Sequence, residues 1–186
     1  MHSLWRSTPE LMVQYAHYHR DRRNILTHLL GIPLIFTAIG VWLAQPLWPV
    51  AGLMLSPAWL AWGLTSLWYL SRGVPLLGLA TCAVNGLLIA LAHALVPWAQ
   101  ARGLSGLQAG LLLFVAGWAL QFVGHFFEGR KPAFVDDLVG LLTGPMFVVA
   151  EVLMTLGALD ALRQVLEQEA GPTRWGPAPA MARELS

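Results

Sequence analysis

His125 and Glu128 lie three residues apart in the run Gln121-Phe-Val-Gly-His125-Phe-Phe-Glu128. On a helix this spacing puts both side chains on one face, with Cβ atoms about 5 to 6 Å apart. An imidazole and a carboxylate that close can share a metal ion. Gln121, one turn earlier, extends the same polar stripe, and Gly129-Arg130-Lys131-Pro132 follows it, so the stripe sits where an uncharged segment meets water. Further ligands lie near the other end of the chain, at His19 and His28. On one straight helix these two would point to opposite sides, about 13 to 14 Å apart along the axis, and could not share an ion. Convergence therefore requires a break over 20–24, with Asp21 or Asn24 capping the helix that follows. His17, two residues from His19, is directed elsewhere.

The rest of the chain says what kind of protein carries these groups. Of 186 residues only 11 % are charged and 56 % are hydrophobic, too few charges to coat a soluble surface of this size. No Asp, Glu, Lys or Arg occurs at 24–71, 73–101 or 103–127, and a spanning helix needs roughly 20 mostly apolar residues. The pattern predicts an all-α, polytopic membrane protein. An interfacial helix at 8–22 precedes about five hydrophobic helices near 28–44, 50–70, 75–98, 106–127 and 138–158. Pro46, Pro49, Ser71, Gly73, residues 100–105 and Gly129 to Pro132 mark the turns. Gly144-Pro145 is expected to kink the last helix. Residues 1–160 read as one membrane-embedded domain, and 161–186 as a polar, flexible tail.

The N-terminus lacks the apolar core of a cleavable signal peptide, so the first hydrophobic helix is expected to direct insertion. Lone Cys82 reads as a small core residue. A net charge of +1, with no basic cluster beyond Arg20, Arg22 and Arg23, argues against nucleic-acid binding. Those arginines place the N-terminus on the cytoplasmic side. With four crossings, His28 and His125 then share that side and His93 lies at the opposite surface.

Two separated motifs carry a resemblance. Tyr15-x3-His19-x4-Asn24-x3-His28 with Gly31-Ile32-Pro33-Leu34 forms the first. The second is Gln121-x3-His125-x2-Glu128-Gly-Arg-Lys-Pro132-x3-Asp136-Asp137-Leu138, followed by Gly144-Pro145 and Glu151. Together they resemble the membrane family typified by the yeast 2-hydroxy fatty acid dioxygenase, over about residues 8–158. The resemblance implies an Fe(II)-dependent enzyme of fatty acid α-oxidation that shortens a long-chain 2-hydroxy fatty acid by one carbon with dioxygen. A bilayer setting is expected, the inner membrane of a bacterium or the endoplasmic reticulum of a eukaryote, and the arginine-based orientation puts the metal site on the cytoplasmic side.

The chemistry suits the residues. Iron held by histidines leaves open positions that a chelating 2-hydroxy acid and dioxygen can occupy. His19, His28 and His125 are the expected ligands. Glu128 is the expected catalytic residue, as a fourth ligand or as acceptor for an imidazole N–H. Arg130 and Lys131 are expected to steer the substrate carboxylate to the membrane surface.

Plainer roles stand beside these. Glu128, Arg130 and Lys131 can form an ordinary interfacial ion pair, and the two cations can serve only to set topology. Glu151 lies about fourteen residues into the last helix, where an ionisable group needs a partner. It suits either a proton or product path, sharing a face with Asp137, or a protonated acid bonded to a group such as Asn85. His93 is expected to pack. Another iron-dependent lipid hydroxylase or desaturase is the second reading, although six histidines are too few for the histidine boxes of a di-iron desaturase. A bis-histidine haem protein or a small transporter is the third, without the internal repeats a transporter usually shows.

Overall fold

Three long apolar helices frame the protein, whose computed structural model describes residues 3–131 and 138–176. α1 (Thr8–Ala16) is short. α2 (Arg22–Leu43), α4 (Pro75–Gln100) and α5 (Gly106–Glu128) are each long and apolar enough to cross a membrane. α3 (Pro57–Leu70) has 14 residues, about 21 Å, and falls short of the roughly 30 Å hydrocarbon layer. α6 (Gly140–Thr155) and α7 (Asp160–Ala170) meet at 113° and make one broken span at most. Among the described residues there are thus three candidate spans, or four with that pair, and the expected count of about five is not confirmed. Leucines on the outer faces of α3, α4 and α5, such as Leu64, Leu67, Leu87 and Leu112, are more than 60 % exposed, which suits lipid rather than water.

The segment expected as helix from residue 50 begins instead as a hairpin of β1 (Trp48–Val50) and β2 (Leu53–Leu55), paired Trp48 to Leu55 and Val50 to Leu53. Pro49 cannot extend a helix. Ala51 and Gly52 both take positive φ, 50° and 81°, the backbone that a tight two-residue hairpin turn requires. Helix resumes at Pro57 behind Ser56, whose hydroxyl accepts from the Trp59 amide.

The break between His19 and His28 is present. α1 stops at Ala16 and α2 starts at Arg22. Asp21 caps α2, accepting from Arg23 N at 2.9 Å, because its short carboxylate reaches an amide that has no partner inside the helix. α2 and α5 then cross at glycines. A Cβ on Gly117 would stand 2.8 Å from Gly31 O, and one on Gly31 would stand 2.9 Å from Gly117 O. The backbones touch, which brings the start of α2 and the end of α5 into register.

The main core lies beside this pair, where Met12, Tyr15, Tyr69, Leu77, Met146 and Phe147 from α1, α3, α4 and α6 are all buried. α6 runs through Gly144 and Pro145 as one helix. At the start of the stretch expected as a tail, α7 packs on α1 through buried Leu162 and Leu166, whose spacing of four residues makes one apolar stripe. Residues 177–186, and Pro132, Asp136 and Asp137 with the roles expected of them, lie outside the described residues.

Candidate metal centre

Three elements deliver three imidazoles to one point. His19 stands in the turn after α1, His28 in the second turn of α2 and His125 in the last turn of α5. Each is buried, and one ligand nitrogen from each lies within 4.8 Å of the others. The ring centroids form a nearly equilateral triangle of 4.5, 5.0 and 4.9 Å, every pair edge to face. Tyr15 stacks on His19, centroids 4.1 Å apart and planes 2° from parallel, which fixes that ring.

Hydrogen bonding decides which nitrogens face inward. Nδ1 of His19 lies 2.7 Å from Tyr15 O, and Nδ1 of His28 lies 2.9 Å from Asn24 O. A carbonyl can only accept, so both Nδ1 atoms carry the hydrogen and both Nε2 atoms present a lone pair. Those Nε2 atoms are 3.0 Å apart. Two bare lone pairs at that distance repel unless a proton or a cation lies between them. Burial, and then the neighbouring His28 and His125, hold the His19 imidazole well below its ordinary pKa, which disfavours the proton. A divalent ion fits: it binds neutral imidazole nitrogens at about 2.0 to 2.1 Å in the case of zinc, and backbone carbonyls on the far nitrogens are its usual support.

Glu128, three residues on from His125, is not in this group of ligand atoms. It is 1 % exposed. Its Oε2 accepts from the backbone N of Arg20 at 2.9 Å, from the backbone N of Asp21 at 2.7 Å and from Asn24 Nδ2 at 3.2 Å. Its Oε1 accepts from Arg174 Nη2 at 3.0 Å. The spacing of three from His125 puts Glu128 on the right face, yet its oxygens clamp the turn that carries His19 rather than an imidazole.

Arg130 and Lys131 are exposed, and Arg130 Nη1 donates to His17 O at 3.0 Å. Glu151 has its ion-pair partner in Arg20, 3.8 Å away, and not in Asn85. His93 is remote from the centre: it bonds Ser56 Oγ at 2.9 Å and stacks on Trp59. Two participants carry little signal in the sequence. Arg20, 4 % exposed, reads there as a topology charge. Arg174 is a single basic residue in a Pro- and Gly-rich stretch, with no local signal of a partner 46 positions away.

An apolar groove of about 230 Å³ leads from the cluster along α2, α5 and α6. His28, His125, Tyr15 and Gln121 line its polar end, and Ile35, Phe36, Ile39 and Phe114 line the remainder. Arg130 and Lys131 are not among the described residues that line it.

A family model described as "2-hydroxy-palmitic acid dioxygenase Mpo1-like" matches residues 5–156. The chain is also similar to the 2-hydroxy-palmitic acid dioxygenase MPO1 of Saccharomyces cerevisiae, 32 % identical over 165 residues that cover 83 % of this chain and 84 % of the yeast protein. No solved structure matches the chain.

Proposed function

From the premise that the chain belongs to the Mpo1-like family, we propose that it is a membrane-embedded, Fe(II)-dependent dioxygenase that converts a long-chain 2-hydroxy fatty acid to a product one carbon shorter. The observation that carries the reading is the pair of bare Nε2 atoms of His19 and His28, 3.0 Å apart, with His125 beside them at the head of an apolar groove.

Each residue takes a definite part. His19, His28 and His125 hold the ion, with the Nδ1 hydrogen bonds of the first two fixing their tautomer and aim. Fe(II), when bound, supplies the redox chemistry that dioxygen requires. The groove takes the acyl chain and keeps water from the reacting end. Gln121 is 5 % exposed and its Nε2 has no hydrogen-bond partner among the described residues, so it offers a donor to the polar head of the substrate. Arg130 and Lys131 add positive charge beyond the end of α5 that favours a carboxylate approaching from the membrane surface. Glu128 contributes at one remove by holding the turn under His19.

The same geometry disfavours a haem carrier. Bis-histidine ligation puts the porphyrin plane between two nitrogens, and His19 and His28 leave no space for it. The deciding experiment is anaerobic purification in detergent, reconstitution with Fe(II) and mass spectrometry of 2-hydroxypalmitate incubated with and without oxygen. A product one carbon shorter that needs both iron and oxygen is expected. Tight iron binding without that product would point to a different lipid substrate, and a chain that binds no divalent metal would overturn the proposal.

A further inference from the structure

A segment beyond the family match holds the turn that carries His19. The match ends at residue 156, and after α7 the chain returns across residues 20–22. Asp21 and Arg174 form a parallel bridge. Arg22 N donates to Arg174 O at 2.8 Å, and Arg174 N donates to Arg20 O at 2.9 Å. Arg20 Nη1 donates to Gly171 O at 3.1 Å, and its Nε donates to His19 O at 3.0 Å. The side chain of Arg174 then reaches Glu128.

We infer that Arg174 is a positioning residue for His19, and that the segment 171–175 sets the metal affinity of the three-histidine centre. The inference rests on the metal-binding reading of that centre. His28 and His125 are fixed on helices; His19 stands in the turn, so its aim depends on what holds the turn. Two amides of the turn, Arg20 N and Asp21 N, end on one oxygen of Glu128, and the other oxygen ends on Arg174. Burying a carboxylate is costly unless its oxygens are paired. Without Arg174, Oε1 loses its partner, the carboxylate is no longer held from both sides, and the two amides on Oε2 lose a fixed acceptor. The turn then loosens. Groups that orient a metal ligand in this indirect way commonly change affinity by about 10- to 100-fold.

The test uses the full chain in detergent with Arg174→Ala, Arg174→Lys and, as a control at the far end of α4, Arg102→Ala. Hydrogen exchange of the 19–22 segment is measured on metal-free protein, and Co(II) affinity by its visible spectrum. Arg174→Ala is expected to speed exchange in that segment and to weaken Co(II) at least about 10-fold. Arg174→Lys should recover most of both, and Arg102→Ala should match the parent. Unchanged exchange in Arg174→Ala would show that the segment does not hold the turn. Faster exchange with unchanged Co(II) affinity would equally overturn the positioning role. If the parent binds no Co(II), the metal reading of the centre falls and with it the effect on affinity, while the exchange result still decides whether Arg174 holds the turn.

Discussion

His19 Nε2 faces His28 Nε2 at 3.0 Å, although the break between α1 and α2 separates the two residues. Each ring has its N–H committed to the carbonyl four residues earlier, so the contact is lone pair against lone pair.

If a metal relieves that repulsion, truncating a ring should release it. His28→Ala and His125→Ala are each expected to lose bound metal and turnover while the protein remains inserted. His93→Ala, at the Ser56 and Trp59 site, should keep both. Elemental analysis of purified protein checks this, and equal loss in all three variants would count against the assigned centre.

Acid should weaken the metal-free fold. His19 is held neutral in the fold, with its pKa well below the ordinary value, which is about 6.5 in an unfolded chain. Below that pH the unfolded chain binds the extra proton and the folded one does not. Stability is therefore full above about pH 6.5 and declines as pH falls below it. Thermal unfolding of metal-free protein in detergent at pH 7.5 and 5.5 should give the lower midpoint at 5.5, and His19→Phe should reduce that difference. No dependence on pH in the parent would contradict the burial of a neutral imidazole.

The α2–α5 crossing offers a packing test. A Cβ on Gly117 meets backbone, Gly31 O at 2.8 Å and Ile35 N at 3.1 Å, which cannot swing aside as a side chain would. Gly117→Ala is expected to destabilise by about 1–3 kcal/mol and to lower metal affinity by parting His28 from His125. Gly63→Ala on α3 meets nothing within 4 Å and should be neutral or stabilising by up to about 1 kcal/mol. Paired unfolding curves distinguish these outcomes.

Much of this arrangement was legible in the sequence, for reasons that also mark where legibility ended. Nine residues cannot bring His19 to His28 on one helix, so convergence demanded a turn, and Asp21 supplies its cap. Uncharged runs marked α2, α4 and α5 because length and polarity alone decide which helices can span. The hairpin at 48–55 was missed because Leu53, Met54 and Leu55 read equally well as helix. The spacing of three puts Glu128 on the His125 face of α5, but spacing along one helix cannot show that the turn before α2 presents its amides to that carboxylate. Arg174 could not have been found, since its partner comes from a distant part of the chain.

The groove gives a further test of the proposed reaction. Ile39 lines it about 16 Å along α2 from His28. Ile39→Trp should narrow the distal end and lower the long-chain to short-chain ratio of kcat/KM by roughly 10-fold or more, with metal content unchanged. A chain-length series of 2-hydroxy acids measures it, and a uniform loss at every length would mean that the acyl chain lies elsewhere.

The position of that groove also bears on how turnover should be measured. Its walls are the apolar faces of α2, α5 and α6, and Ile39 and Leu141 on those walls are 41 % and 52 % exposed on the side that suits lipid. A substrate that enters there comes from the leaflet and not from water. The quantity that governs rate is then its mole fraction among the surrounding lipids. Adding inert phospholipid at constant total substrate should slow the reaction by surface dilution, whereas diluting vesicles of fixed composition should leave the rate per enzyme unchanged.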